Sequence, residues 1–318
     1  MIVQTSDARR RRYRRPARSR RPSPSSGARR YSFLKQACED AGVEALGYLP
    51  KCADVEIPSR HLGLSLDEDF CFEEFADRVA ELVEKHVNIN RLLELTKPVA
   101  TAVVPISAGR HIYKREPSFP IAVACDPAFN FVYEANIRYL HHLGEVTYFS
   151  PLADTSLPDA GFVYLPGGYP ELYLAALSAN RQMLQSIRRY VESGGKLLAE
   201  CGGMMYLCDE IRDKNGDVYP MAGVLHQSAT MENMKLRLGY RTLLYNETRL
   251  KGHEFHYSRL VEQQNPLPSC AVAYTAKGVE TDTPLYHYKN VWAGYTHLYW
   301  ADPVGNEWFT KFVIDGNT

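Results

Sequence analysis

One segment constrains the fold of this chain more than any other, because it predicts a buried strand that turns at a cysteine directly into a helix. Residues 196–199 form a short apolar run of strand length, and residues 204–207 begin an apolar helical face. Gly202 and Gly203 permit the tight turn between the two elements. Such a turn lifts the sulfur of Cys201 above the sheet edge, at a helix N-terminus where backbone N–H groups favour the reactive thiolate.

Two interpretations of Cys201 follow from this segment alone, a nucleophile or a buried structural cysteine.

A second apolar strand, residues 162–165, ends in Gly167 and Gly168. Neighbouring parallel strands end on the same side of a sheet, so we expect this turn beside Cys201. The N–H of Gly168 would then join that of Gly202 in an oxyanion hole, whose donors are worth roughly 2.7 to 4 kcal/mol each. Taken alone, the turn is also compatible with an ordinary strand-to-helix loop.

A histidine late in the chain is the candidate base. Residues 291–299 form an aromatic, strand-like run that contains His297. A thiol nucleophile needs a base to take its proton, and imidazole is suited to this. Taken alone, a packed core histidine is the plainer interpretation of His297.

The order of these features, a Gly-Gly turn, a Cys-Gly-Gly elbow and a late histidine, resembles the class I glutamine amidotransferase domain. The closer resemblance is to the cobyrinate a,c-diamide synthase family, which amidates two acetate side chains of the corrin ring, and to its sister group acting on nickel sirohydrochlorin. The resemblance extends in order over roughly residues 118–312. It is carried by residues 164–172, 199–207, 238–241 and 252–259.

The resemblance implies that this domain hydrolyses glutamine, with Cys201 as nucleophile and His297 as general base. It also implies that Gly167, Gly168 and Gly202 bind the glutamine and its oxyanion. A corrin or related tetrapyrrole carboxylate would receive the ammonia.

A family signature near the site contains His253, Glu254 and His256. On a strand these residues alternate, so His253 and His256 do not share a face, and we assign no metal site to them. Most class I amidotransferases carry a glutamate two positions after the catalytic histidine, whereas this chain has Tyr299 there. The group that orients His297 therefore stays open.

The remaining pattern predicts an α/β fold, with a mainly parallel sheet covered by helices on both faces, as in flavodoxin-like domains. From residue 119, apolar strands alternate with helical segments. Active sites of such sheets gather at the carboxyl ends of the strands, where both Gly-Gly turns fall. The expected strands are residues 121–124, 146–149, 162–165 and 197–199, and the expected helices are residues 134–143 and 172–192.

Residues 31–97 resemble the end of the family's ATP-dependent synthetase domain, a P-loop-type domain, and residues 98–117 read as a linker. We expect a strand at residues 45–49 and a helix at residues 72–95. The resemblance implies ATP and Mg²⁺ as co-reactants, but the sequence contains no Gly-x-x-x-x-Gly-Lys-Ser/Thr. The missing part would come from a separate chain or a homodimer mate.

The first thirty residues form an arginine-rich tail that we expect to be disordered. They hold eleven of the 37 basic residues and one of the 37 acidic residues, so the rest of the chain carries about ten net negative charges. A solvated tail, a targeting segment and a polyanion-binding arm are all compatible with this composition. The acidic remainder argues against nucleic acid as its partner.

The sequence contains no apolar run long enough to cross a membrane. Its seven cysteines are an odd number and do not have the spacing of metal ligands, which favours the reducing environment of the cytoplasm.

Three hypotheses of function remain open at this point. The first is the glutaminase part of cobyrinate a,c-diamide synthase, or of its nickel-sirohydrochlorin counterpart. The second is a cysteine hydrolase of another family that uses the same elbow. The third is a folded but catalytically silent relic.

Overall fold

The computed structural model describes residues 25–52, 55, 59–60, 63–64, 71–96, 119–262 and 266–315. The chain divides into two compact units, Met1–Arg110 and His111–Thr318. No helix among the described residues is long and apolar enough to span a bilayer.

The first unit is mainly helical. It contains α1 (Ser25–Asp40), the short antiparallel pair β1 (Ser59–Arg60) and β2 (Gly63–Leu64), α2 (Phe72–His86) and α3 (Ile89–Leu95). The expected helix 72–95 is therefore two helices. Val87 leaves the helical conformation, and the side chain of Asn88 caps α3 by accepting from Arg91 N at 3.0 Å. Neither α2 nor α3 contains a buried residue.

Two expectations for this unit are wrong. Instead of a strand at residues 45–49 there is an isolated bridge between Gly47 and Val87, and no strand among the described residues of this unit extends the pairing. Helix α1 begins at Ser25, inside the tail that we expected to be disordered through residue 30. Alanine and arginine at positions 28–30 are good helix formers and extend it toward the N-terminus. Residues 1–24 and the linker 98–117 lie outside the described residues.

The second unit is built on a six-stranded sheet. Its strands are β3 (Pro120–Ala124), β4 (Glu145–Phe149), β5 (Phe162–Leu165), β6 (Lys196–Glu200), β15 (Leu285–Tyr288) and β16 (Val291–Gly294). Their order in the sheet is β15-β16-β6-β5-β3-β4. All neighbours from β16 to β4 are parallel, and β15 is an antiparallel edge strand. The mainly parallel sheet is confirmed.

Continuous apolar runs explain the central strands. All four residues of β5 and the last four of β3 and β6 are buried, as expected for a parallel sheet covered on both faces. The connections include α4 (Glu134–Leu143), which has the expected bounds, and a 3-10 turn (Pro170–Leu172) followed by α5 (Leu174–Ala179) and α6 (Arg181–Glu192). The expected helix 172–192 is interrupted at Asn180, whose side chain accepts from Met183 N and donates to Pro151 O.

Two smaller sheets accompany the main one, and the sequence pattern did not predict them. A five-stranded antiparallel sheet has the order β14-β13-β10-β11-β17, and a four-stranded sheet has the order β12-β9-β7-β8. Their strands and the remaining helices are α7 (Gly202–Leu207), β7 (Glu210–Arg212), β8 (Val218–Pro220), β9 (Ser228–Thr230), β10 (Arg237–Tyr245), β11 (Thr248–His256), β12 (Arg259–Leu260), β13 (Val272–Thr275), β14 (Glu280–Thr281), β17 (His297–Leu298), α8 (Pro303–Thr310) and a π-helical turn (Lys311–Asp315).

The aromatic run 291–299 is divided between two sheets. Its first part is β16 in the six-stranded sheet, and its last part is β17, which pairs with β11 in the five-stranded sheet. Expecting one strand here was wrong, because the chain leaves the main sheet after Gly294. This crossing carries His297 out of the main sheet.

Candidate active site

Cys201 forms the sharp turn that its sequence predicts. Strand β6 ends at Glu200, and α7 begins at Gly202. Between them Cys201 has φ 49° and ψ −107°, a conformation that costs free energy in a residue with a side chain. The N–H of Cys201 donates to Gly294 O at 2.8 Å, and its carbonyl accepts from Met205 N at 3.0 Å. Neighbours on both sides thus hold the strained turn.

The Gly167–Gly168 turn lies directly beside this elbow. Strands β5 and β6 are paired in parallel with Leu165 opposite Ala199, so the turn that follows β5 meets the one that follows β6. A Cβ placed on Gly202 would lie 3.2 Å from Gly168 N and 2.7 Å from a ring carbon of Pro170. The backbones of the two turns are therefore in contact, and only glycine fits between them.

A loop after β3 holds the Gly167–Gly168 turn in place. Phe131 N donates to Gly167 O at 3.0 Å, and Tyr169 N donates to Ala128 O at 2.9 Å. The N–H of Gly168 lies between these two hydrogen bonds in sequence. No group among the described residues accepts a hydrogen bond from it. This N–H is available to a ligand, as an oxyanion hole requires.

His297 lies against the same turn. A Cβ on Gly167 would overlap the His297 ring. Phe131 contacts the imidazole edge-on at a centroid distance of 4.4 Å, and His253 stacks on it at 5.0 Å. The side chain is buried, and its Nδ1 has no hydrogen-bond partner within the described part of the chain.

Burial determines the protonation of His297. Desolvation first, and then the charges of His253 and His256, lower the pKa of His297 to about 3. The imidazole is therefore neutral at neutral pH, which is the protonation state of a general base, but burial also makes it a weak base in the free protein.

The thiol of Cys201 is protonated in this state of the protein. Burial raises its pKa well above the ordinary value, and the carboxylate of Glu171 raises it further, while the N–H of Gly202 opposes both. The expectation of a thiolate at the helix N-terminus is therefore wrong for the free protein. Helix α7 has only six residues, and its N-terminal field does not compensate for desolvation.

Strand β11 divides the family signature between two faces. Glu254 and His256 are on the buried face, and His253 is on the other. Glu254 accepts from Arg241 Nε at 2.5 Å and contacts His256 Nε2 at 2.7 Å, while His256 Nδ1 donates to Ser258 O at 2.8 Å. Burial raises the pKa of Glu254, but its partners, His256 foremost, outweigh this and leave it below the ordinary value. These groups form a satisfied buried network.

His253, in contrast, belongs to the surroundings of His297. The two residues are opposite each other in the β11–β17 ladder, and Tyr133 Oη lies 2.5 Å from His253 Nδ1. Burial lowers the pKa of His253. Within the described ranges, no group of three or more His, Cys, Asp or Glu side chains is placed to hold a metal ion.

Sequence reasoning missed two buried polar residues next to the site, Glu200 and Asn136. Glu200 accepts from Tyr164 Oη at 2.7 Å and from Leu298 N at 3.0 Å. Its one signal in the sequence is a carboxylate that ends an apolar strand immediately before the candidate nucleophile. Asn136, within the helical pattern of α4, carries no such signal.

Residues 120–304 match the CobB/CobQ-like glutamine amidotransferase domain. The chain belongs to this family. Hydrogenobyrinate a,c-diamide synthase of Pseudomonas aeruginosa is 37% identical to it over 281 residues, which cover 86% of this chain and 61% of that protein. Cobyrinate a,c-diamide synthase of Dehalococcoides mccartyi is 35% identical over 301 residues, which cover 87% of this chain and 63% of that protein.

The amidotransferase chain thus spans about three fifths of the length of these curated relatives. Among solved structures, a glutamine amidotransferase is similar with a TM-score of 0.41 and 16% identity, covering 61% of this chain and 98% of that one.

Proposed function

We propose that this domain hydrolyses glutamine at Cys201 and supplies ammonia for amidation of the a and c acetate side chains of a corrin precursor. The observation that carries the first half is the convergence of three separate segments at one end of the main sheet. The strained Cys201 elbow, the free N–H of Gly168 and the neutral, buried His297 all border the Gly167–Gly168 turn. The names of the relatives support the second half.

The first step is thiol activation. Neutral His297 accepts the proton of Cys201 as the sulfur attacks the carboxamide carbon of glutamine. The negative charge moves to the amide oxygen, where the N–H groups of Gly168 and Gly202 stabilise it. Gly167, which packs on His297, keeps the turn close to the base.

The second step releases ammonia. The protonated imidazole of His297 donates its proton to the departing nitrogen, and the C–N bond breaks to leave a thioester on Cys201. Water, deprotonated by His297, then hydrolyses the thioester to glutamate and restores the thiol.

The ammonia would attack a tetrapyrrole carboxylate activated by ATP and Mg²⁺. We propose that residues 31–97 are the C-terminal part of the synthetase domain that performs this activation, and that the protein works in the cytoplasm. The nearest fragment to a phosphate loop, residues 194–196, does not fit a phosphate cradle. Gly194 N donates to Val191 O and Gly195 N donates to Tyr190 O, both at 2.9 Å, so the two glycines cap α6, and Lys196 is already the first residue of β6. We therefore propose that phosphate binding depends on residues outside this sequence.

A glutamine-analogue electrophile, a diazo or chloro ketone of the amino acid, tests the glutaminase role. We expect mass to be added at Cys201 and glutamate release to stop. Cys201→Ser should lose both labelling and glutaminase activity while keeping its circular dichroism spectrum, because a hydroxyl is far less nucleophilic here. Cys125→Ser, at an exposed free cysteine, is the matched control and should behave as wild type.

Retained glutaminase activity in Cys201→Ser would refute the assignment. A folded wild-type chain that is neither labelled nor active would instead favour the silent relic. Amidation assays with cobyrinate, hydrogenobyrinate and nickel sirohydrochlorin, supplemented with the separate synthetase part, would identify the tetrapyrrole.

A further inference from the structure

We infer that Glu200 is a positioning residue for His297, which it orients by holding the backbone of strand β17. The inference rests on the proposed role of His297 as the base of glutamine hydrolysis. It addresses a question that the sequence leaves open, namely which group orients His297 in a chain that has Tyr299 where most class I amidotransferases have a glutamate.

Glu200 connects the nucleophile to the base. It is the last residue of β6 and immediately precedes Cys201, and its side chain is only 2% exposed. Its Oε2 accepts from Tyr164 Oη at 2.7 Å, and its Oε1 accepts from Leu298 N, next to His297, at 3.0 Å. One carboxylate thus joins the main sheet to the five-stranded sheet.

Strand β17 needs such support because it is only two residues long. Its ladder with β11 contains two residue pairs, Gly252 with Leu298 and His253 with His297. Asn136, fully buried in α4, donates to Leu298 O at 2.8 Å and accepts from Trp300 N at 2.9 Å. Buried side chains therefore bond both the N–H and the carbonyl of Leu298.

Within the described ranges, no carboxylate bonds to the imidazole of His297 itself. Nδ1 of His297 is buried without a partner among the described residues, and Tyr299 is directed to a ring contact with Tyr133. Orientation must come from the backbone of β17 and from packing on Gly167, Phe131 and His253. A shift of β17 would move the ring relative to Cys201.

The cost of burying Glu200 supports a specific role. Burial raises its pKa to about 8, and no Lys, Arg or His side chain of the described residues pairs with it. Burying a carboxyl group costs free energy unless its oxygens form hydrogen bonds, and here both oxygens of Glu200 form one. Glutamine can keep both contacts, with its carbonyl accepting from Leu298 N and its amide donating to Tyr164 Oη, the reverse of the direction that Glu200 uses.

The test compares Glu200→Gln with Glu200→Leu in steady-state glutamine hydrolysis. We expect Glu200→Gln to keep kcat within about threefold of wild type. Glu200→Leu should lower kcat by roughly tenfold to a hundredfold, the cost of a catalytic group displaced by about 1 Å, with KM within about twofold. The matched control for destabilisation is Ile187→Ala in α6, a buried position at which we expect a lower thermal midpoint and an unchanged kcat.

A double-mutant cycle with His297→Ala shows whether Glu200 acts through the base. We expect His297→Ala to lose activity and the addition of Glu200→Leu to cause no further loss. A folded Glu200→Leu variant with wild-type kcat, or losses that add in the double variant, would overturn the inference while leaving the proposed function intact. Full activity in His297→Ala would overturn both.

Tyr164→Phe provides a second variant if Glu200→Leu does not fold. It removes only the hydroxyl that holds Oε2, and we expect kcat to fall roughly threefold to tenfold with KM unchanged. Wild-type kcat in Tyr164→Phe would count against the positioning role.

Discussion

At the scale of single residues, the site combines groups whose ionisation is controlled by burial. The thiol of Cys201 is kept protonated, and the imidazole of His297 is kept neutral, by the same dry surroundings. Both shifts disfavour the thiolate–imidazolium pair in the free protein. Glu200, also buried, connects the two residues through the backbone rather than through the imidazole ring.

His297 should make stability depend on acidic pH. Its pKa is about 3 in the folded protein and ordinarily 6.5, so below pH 6.5 the unfolded chain binds a proton that the folded protein does not. The folded state therefore loses stability as the pH falls from about 6.5 toward 3. Relative to His297→Asn, we expect the wild-type free energy of unfolding to fall by up to ~1.4 kcal/mol per pH unit.

Urea unfolding at pH 7, 6 and 5 measures this difference. His141→Asn, at an exposed position near the end of α4, is the control for replacing a histidine. Parallel pH curves for wild type and His297→Asn would mean that the imidazole of His297 is not held neutral.

At the scale of elements, two turns at the carboxyl ends of β5 and β6 create the site, and their contact leaves no space for side chains. The sequence placed both turns correctly, because a Gly-Gly pair after an apolar strand relaxes the steric limits on a tight turn. It did not predict that β17 would come from another sheet. Nothing local in residues 291–299 indicates where the chain leaves β16.

Gly168→Val should lower turnover of glutamine. A Cβ at this position would overlap the carbonyl oxygen of Ala128, so the turn must shift and displace the N–H that is the oxyanion donor. We expect kcat to fall by roughly a hundredfold or more, the contribution of one oxyanion donor. Gly278→Ala is the control, because its turn has no atom within 4 Å of the new Cβ and it only adds backbone strain. Unchanged kinetics in Gly168→Val would remove this turn from the site.

At the scale of the whole molecule, the two units differ in how much they bury. The second unit contains the six-stranded sheet and a continuous aromatic core that includes Trp292, Trp300 and Phe309. In the first unit, α2 and α3 bury no residue, and apolar side chains such as Phe72 and Leu93 are exposed. We therefore expect the two units to differ in local stability.

Hydrogen exchange should show this difference directly. We expect the amides of α2 and α3 to exchange far faster than those of β3, β5 and β6, because few buried contacts oppose local opening of the helices. Exchange followed by mass spectrometry at neutral pH measures both regions in one experiment. Equal protection in the two units would contradict the prediction.

The chain by itself should not complete an ATP-dependent amidation. Its sequence has no P-loop, and residues 194–196 cap a helix. Calorimetric titration with Mg-ATP should show no binding, and cobyrinate with glutamine and Mg-ATP should gain no amide. Robust amidation by this chain alone would mean that its phosphate site has a form we did not recognise.

The sequence by itself determined the parallel sheet, the bounds of α4 and β5, the elbow at Cys201 and its neighbouring Gly-Gly turn. These depend on local apolar periods and on glycines next to one another, which are properties of short segments. Only the tertiary structure decided the break at Asn180, the transfer of His297 to a second sheet and the bond from Glu200 to Leu298. Each of these depends on partners 29 to 98 residues away in sequence, and such contacts produce no periodic pattern of apolar residues in the sequence.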